Sequence, residues 1–261
     1  MSEITYGTYL KVDELLSLQQ PLSRPVEHDE MLFIIIHQVY ELWFKEVLHE
    51  LDEMIDYLEA DRPALSSRHL DRVLTIFKTL VAQIDVLETM TPLEFDSFRD
   101  FLATGSGFQS AQFRELEFVL GVKSPAHLHR FADNEREFAN LERRYNAPSI
   151  WDAFIAYVGR QGYDVPDAFL QRDVTEPTPE SPEIQAALIE IYRHDPALTQ
   201  LCEALTDLDE GLHEWRFRHV MMVQRTIGAK MGTGGSTGAE YLRSTLFRPA
   251  FPDLWAIRSA F

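Results

Sequence analysis

The chain has 261 residues, 45% hydrophobic and 25% charged, with 12 glycines and 13 prolines, an ordinary globular composition that excludes a disordered or collagenous chain. Lys+Arg 24 against Asp+Glu 42 gives a net charge of −18, which argues against binding nucleic acid or an anionic membrane surface. A single cysteine, Cys202, excludes an intrachain disulfide framework, and the longest apolar run, Met31 to Ile36, falls far short of the ~18 residues a membrane span needs. The length suits one domain covering 1–261. The N-terminal string MSEITYGTYL is acidic and aromatic instead of basic and then greasy, so a cytoplasmic protein is expected.

The first 20 residues are polar and aromatic and end in proline breaks, which reads as an arm outside the core. Residues 28–60 then carry Leu32, Phe33, Ile36, Tyr40, Phe44, Val47 and Leu51 at steps of three and four, predicting one long helix. A second helix is expected from Ser66 or Ser67, with an apolar stripe from Leu70 to Leu87. Thr91-Pro92-Leu93-Glu94 is a capping box with proline at the first helical position, and the helix it opens carries Phe95, Phe98, Arg99 and Leu102. Ser124-Pro125, Ser181-Pro182 and Asp195-Pro196 mark three further helix starts. The last of these helices runs to Thr226, with Gly228 expected as a left-handed C-terminal cap. Asp173 to Ser181 reads as a surface connection, and Gly232 to Gly238 as a small-residue loop. No alternating strand pattern of useful length is present, so the fold class is all-α.

Nine histidines are distributed along these helices. His49 and His213 sit among charged residues at helical spacing and are expected to face water or salt bridges. His37 and His219 differ: the first has Phe33, Ile34, Tyr40 and Phe44 about it, the second Trp215, Arg216, Met222 and Val223. An imidazole in an apolar stripe loses hydration, so it is hydrogen-bonded in the core, metal-bound or catalytic. Glu46-Val47-Leu48-His49 and Glu210-Gly211-Leu212-His213 have the Glu-x-x-His spacing of di-iron bundles, yet their charged face-mates argue against a buried metal layer. Arg99, flanked by Phe95, Phe98 and Leu102, is either a snorkelling arginine or a fork for a carboxylate. The run GTGGSTG lacks the Lys-Ser/Thr ending of a phosphate loop and follows a helix, so nucleotide binding is unsupported. It reads as a linker or as a loop that closes over a ligand.

Four strings together resemble the tryptophan 2,3-dioxygenase family: TYGTYL at Thr5 to Leu10, FIIIHQVYELWFK at Phe33 to Lys45, FDSFRDFLATGSGFQSAQFR at Phe95 to Arg114, and RHVMMVQRTIGAKMGTGGSTGAEYLRST at Arg218 to Thr245. The stretch from about 125 to 206 carries little of this signature, and no role is transferred to it. The resemblance implies a helical-bundle subunit with a b-type haem, ferrous when active, in a pocket between long helices. It further implies a homotetramer, a dimer of dimers, acting on L-tryptophan and O₂ to give N-formylkynurenine. By the same resemblance His219 is the proximal iron ligand and His37 the distal residue that accepts the indole N–H. Arg99 matches the carboxylate-binding arginine and Thr233 a threonine at the amino-acid end of the substrate. Phe33, Phe95, Leu102, Ser106 and Gly107 match pocket positions, Phe95 standing where some relatives have tyrosine. Tyr6, Tyr9 and Leu10 match an element that reaches a neighbouring subunit's site. The alternatives are a non-catalytic haem or oxygen sensor and, more remotely, a di-iron bundle.

Overall fold

The computed structural model describes residues 4–103, 105, 107–228, 230 and 239–261, and contains helices and no strand among them. Two short helices, α1 (Tyr6–Leu10) and α2 (Val12–Leu16), open the chain and bury no residue. The long helix α3 spans His28–Glu59, within a residue of the sequence expectation. A three-residue turn, with Asp61 at φ 56°, reverses the chain into α4 (Pro63–Leu87). That helix begins three or four residues before the serines expected to open it. Arg62 gives no side-chain cap, and Pro63 occupies the first turn, where a missing N–H does no harm. In α5 (Pro92–Arg99) the capping box forms as read, with the Thr91 hydroxyl and the Glu94 carboxylate each accepting the other's backbone N–H. Leu102 lies beyond this helix, in a 3₁₀ turn over Asp100–Leu102.

Four short to medium helices follow: α6 (Ala111–Val119), α7 (Pro125–His129), α8 (Glu135–Asn146) and α9 (Ile150–Arg160). After α10 (Asp167–Leu170) the Asp173–Ser181 connection is irregular, as expected, and the Arg172 guanidinium holds it through the Asp173 and Glu176 carbonyls and the Thr178 hydroxyl. The remaining helices are α11 (Pro182–His194), α12 (Pro196–Ile227), α13 (Ala239–Ser244) and α14 (Pro252–Ala256). The Ser-Pro and Asp-Pro pairs start α7, α11 and α12 where the sequence placed them. Gly228 does end α12, but at φ 58°, ψ −127°, outside the left-handed helical region expected of it. That backbone region strongly favours glycine.

The two longest helices, α3 and α12, each pack along α4, which lies between them. Leu51, Met54 and Leu58 of α3, Leu70, Val73 and Leu80 of α4, and Leu205, Leu208 and Leu212 of α12 are all fully buried. Helix α9, within the stretch that carries no assigned role, packs on α3 and buries Trp151, Phe154 and Ile155 completely. A satellite cluster of Phe118, Leu128, Phe131 and Leu141 joins α6, α7 and α8. The C-terminal segment is tied to α12 by two carboxylates: Asp209, 1% exposed, accepts the backbone N–H groups of Ala250 and Phe251 and the Trp255 indole N–H, and Glu203 accepts from the Arg258 guanidinium.

Removing the Asp209 carboxylate leaves two backbone donors, the Ala250 and Phe251 N–H groups, buried without that acceptor, each costing roughly 1–3 kcal/mol, while the exposed Trp255 indole can turn to water. Asp209→Ala is therefore expected to lower the unfolding free energy by about 2 kcal/mol or more in urea titrations. A loss below about 1 kcal/mol would show that the C-terminal segment is held by its other contacts instead.

Candidate functional site

Between α3 and α12, which both pack on α4, lies a cavity that residues of α5 and α6 also line. The period of α3 brings Phe33, His37, Tyr40, Glu41 and Phe44 to it, and that of α12 brings Trp215, Arg216, His219 and Val223. Seven of the residues singled out by sequence meet here: Phe33, His37, Phe95, Arg99, Leu102, Gly107 and His219. Ser106 and Thr233 lie outside the described residues. Tyr6, Tyr9 and Leu10 are 79%, 76% and 46% exposed and do not line their own chain's cavity.

His37 Nδ1 lies 2.7 Å from the Phe33 carbonyl oxygen, one turn back on α3. A carbonyl only accepts, so Nδ1 carries the proton and donates it, and Nε2 is left as an acceptor. Burial pushes the His37 pKa below the ordinary imidazole value, while the Phe33 carbonyl and the Glu41 carboxylate pull it back in part. The ring packs 4.1 Å from that of Phe33, which in turn meets Phe95 at 5.8 Å and Phe98 at 5.5 Å. An aromatic wall thus stands beside a neutral hydrogen-bond acceptor.

His219 is more strongly affected: burial, with His37 and Arg114 adding smaller effects of the same sign, brings its pKa down to about 4. It forms no hydrogen bond among the described residues, and its imidazole lies parallel to the Trp215 indole, 5° between planes and 5.1 Å between centroids. His213 on the same helix instead faces Asp209 at 3.3 Å, and His49 is exposed, both as expected. Among the described residues no cluster of three or more His, Cys, Asp and Glu gathers at either Glu-x-x-His tetrad.

The cavity has two unlike ends. Ile84, Leu87, Met90 and Ile227 make one of them apolar. At the other, Glu117 is clamped between two arginines, Arg114 Nη1 at 2.5 Å and Arg216 Nη2 at 2.9 Å, all three at most 7% exposed. Beside them Gln112 donates to both the Glu41 carbonyl and the Glu41 carboxylate, each at 2.8 Å. Reading the sequence did not find this polar end. Glu117 joins Arg114 one turn back on α6 to Arg216, 99 residues away, and only the packing of α6 on α12 reveals it. Arg99 lines the cavity from the last turn of α5, where a cation complements the helix dipole. The adjacent turn is tied to the end of α12 by Asp96 and Lys230 at 2.8 Å.

A flat ligand with an apolar body and an anionic edge suits such a cavity. The chemistry also suits haem in particular: one neutral imidazole without a hydrogen-bond partner among the described residues presents a single ligand, and the porphyrin itself supplies the other four nitrogens.

The family profile described as tryptophan 2,3-dioxygenase matches residues 1–147 and 181–261 of this chain. The curated tryptophan 2,3-dioxygenase of Herpetosiphon aurantiacus is 58% identical over 259 residues, 98% of this chain and 98% of that one. Those of Anaeromyxobacter dehalogenans and Caulobacter vibrioides are 51% and 46% identical, each over 98% of this chain and over 96% and 98% of their own length.

Both cavity histidines have a folded pKa below the unfolded value of 6.5, so the unfolded chain takes up protons first as pH falls. The stability that the neutral His219 contributes is therefore present at neutral pH. It is lost progressively from about 6.5 down through about 4. In the cofactor-free protein, His219→Gln should remove this loss, so the stability difference between parent and variant should drift by roughly 3 kcal/mol between pH 7 and pH 4. A difference that stays flat across that window would place His219 in water.

Proposed function

The chain belongs to the tryptophan 2,3-dioxygenase family and is an oxidoreductase that adds both atoms of O₂ across the indole C2–C3 bond of tryptophan, giving N-formylkynurenine; we propose that it does so in the cavity between α3 and α12, with a b-type haem held by His219. The observation that carries the proposal is the neutral His219 ring, without a hydrogen-bond partner among the described residues, in a cavity whose far end is apolar and whose near end holds Arg114 and Arg216. When bound, the haem iron in its ferrous form supplies the oxygen chemistry, which no side chain offers. The relatives named above are enzymes, so neither the sensor nor the di-iron bundle is supported.

The protein's own part is binding and orientation. Arg99 is assigned the substrate carboxylate, which its planar fork meets with two parallel hydrogen bonds. Thr233, outside the described residues, is assigned the amino-acid end with it. The indole is assigned to Phe33 and Phe95, with Leu102 and Gly107 beside it, and Ser106, outside the described residues, is assigned to the same pocket. His37 Nε2, kept an acceptor by the Phe33 carbonyl, receives the indole N–H and fixes the ring's rotation. Holding the reacting carbons in one place is a contribution of position, paid in advance by binding. Phe95 has no hydroxyl, so no proton moves through that residue.

Assembly belongs to the same proposal. Tyr6, Tyr9 and Leu10 project from a helix that buries nothing, an arrangement that calls for a covering surface. In a homotetramer built as a dimer of dimers, these residues complete the pocket of a neighbouring copy. The single domain spans 1–261, and the cytoplasm suits a chain whose one cysteine, Cys202, is buried and unbridged.

The spectrum tests the haem. Reconstituted protein should show a strong Soret band and turn over tryptophan with O₂. His219→Ala should lose stoichiometric haem, whereas His49→Ala, on an exposed face, should keep it. Equal haem content in the two variants removes the assignment.

The clamp is tested separately. Arg99→Lys keeps the charge but not the fork and should raise KM for tryptophan by about tenfold or more, the loss of roughly 1.5–3 kcal/mol for a charged hydrogen bond. Tryptamine, which has no carboxylate, should be a poor substrate for both proteins and should not distinguish them. Equal KM values for tryptophan would make Arg99 a structural residue.

A further inference from the structure

A histidine that ligates a metal normally has its ring turned to the right angle by a hydrogen bond from its second nitrogen to a carboxylate, a carbonyl or water. His219 makes no such bond among the described residues. The torsion that sets the plane of an imidazole is broad and two-fold, so without help the ring's plane is loosely held. Trp215, one turn back on α12, provides an alternative. Its indole is parallel to the His219 ring within 5°, at 5.1 Å between centroids, an offset stack.

The indole is itself held from several sides. Phe113 of α6 packs on it at 4.9 Å, and Tyr40 and Phe44 of α3 meet it edge-on at 6.2 and 6.1 Å. Trp215 is only 9% exposed and lines the cavity beside His219. Three rings from two other helices thus fix the indole, and the indole is the flat surface against which the imidazole lies.

We propose that Trp215 is a positioning residue for His219, setting by parallel stacking the imidazole plane that a hydrogen bond sets in other metal-ligating histidines. This rests on the reading of His219 as the iron ligand. The orientation of the ring sets where its free nitrogen lone pair points, so the stack would act on how firmly and uniformly His219 holds an iron.

The test uses the full chain reconstituted with haem and two measurements other than turnover. One is the rate of haem transfer to excess apomyoglobin; the other is the iron–histidine stretching band of the ferrous protein. Trp215→Leu should release haem roughly three- to tenfold faster, the size of one aromatic pair, and should shift or broaden the band. Trp215→Phe keeps a ring face and should stay close to the parent in both. A folded Trp215→Leu protein with the parent's release rate and band overturns the proposal. Should that variant not fold, Phe113→Leu removes the ring behind Trp215 while leaving the stacked pair intact, and it must shift or broaden the band. An unchanged band then overturns the proposal. A His219→Ala protein that holds haem as tightly as the parent refutes the ligand assignment itself, an outcome the Trp215 variants cannot produce.

Discussion

Burial works against charge on two imidazoles that face one cavity, and the rest of the site is arranged around keeping both of them neutral. His37 gives its Nδ1 proton to a helix carbonyl, so one nitrogen is committed and the other is a lone pair of fixed direction. His219 has its proton affinity driven down to about 4, which leaves a nitrogen ready for a metal at any pH near neutrality. Protonating either ring would place a cation beside the other and beside buried arginines. The helices carrying them are each 32 residues long, and both are packed on α4. The distance between the two imidazoles is therefore set by the core and not by a mobile loop.

Charge is distributed in the opposite sense inside and outside. The chain carries a net charge of −18, yet the cavity is lined by Arg99, Arg114 and Arg216 against Glu41 and Glu117. An acidic surface repels polyanions. A cationic interior meets carboxylates, and both tryptophan and haem carry them. The buried Arg114–Glu117–Arg216 cluster is stable only as a unit, since removing one partner strands another charge away from water. Such a cluster also fixes α6 against α12, and with it Phe113 against Trp215. The polar end of the cavity and the aromatic support of His219 are thus two faces of one helix contact.

Much of this was legible in the chain as written. The periodicity gave α3 to within a residue, and the capping box at Thr91 and the proline starts of α7, α11 and α12 all formed. Those features are local: a hydroxyl and a backbone N–H three residues away meet whatever the rest of the fold does. The start of α4 at Pro63 was missed because Arg62 provides no side-chain cap to announce it. Gly228 was read correctly as an end and incorrectly in conformation, because its ψ depends on where the following chain must go. Helix α9 had no assigned role, although a run with Trp151, Phe154 and Ile155 fully buried is part of the core.

The sequence by itself determined the helices, their apolar faces, and which histidines lay on those faces, because each depends on neighbours three or four residues away. His37, Arg99 and His219 stood out on that ground, and the family strings gave them roles. Only the tertiary structure decided that His37 and His219 share a cavity, that Glu117 answers to Arg216 across 99 residues, and that an indole lies parallel to the His219 ring. These are contacts between helices or choices of rotamer, and neither leaves a period in the sequence. They follow from how α3, α6 and α12 pack, which the whole core fixes at once.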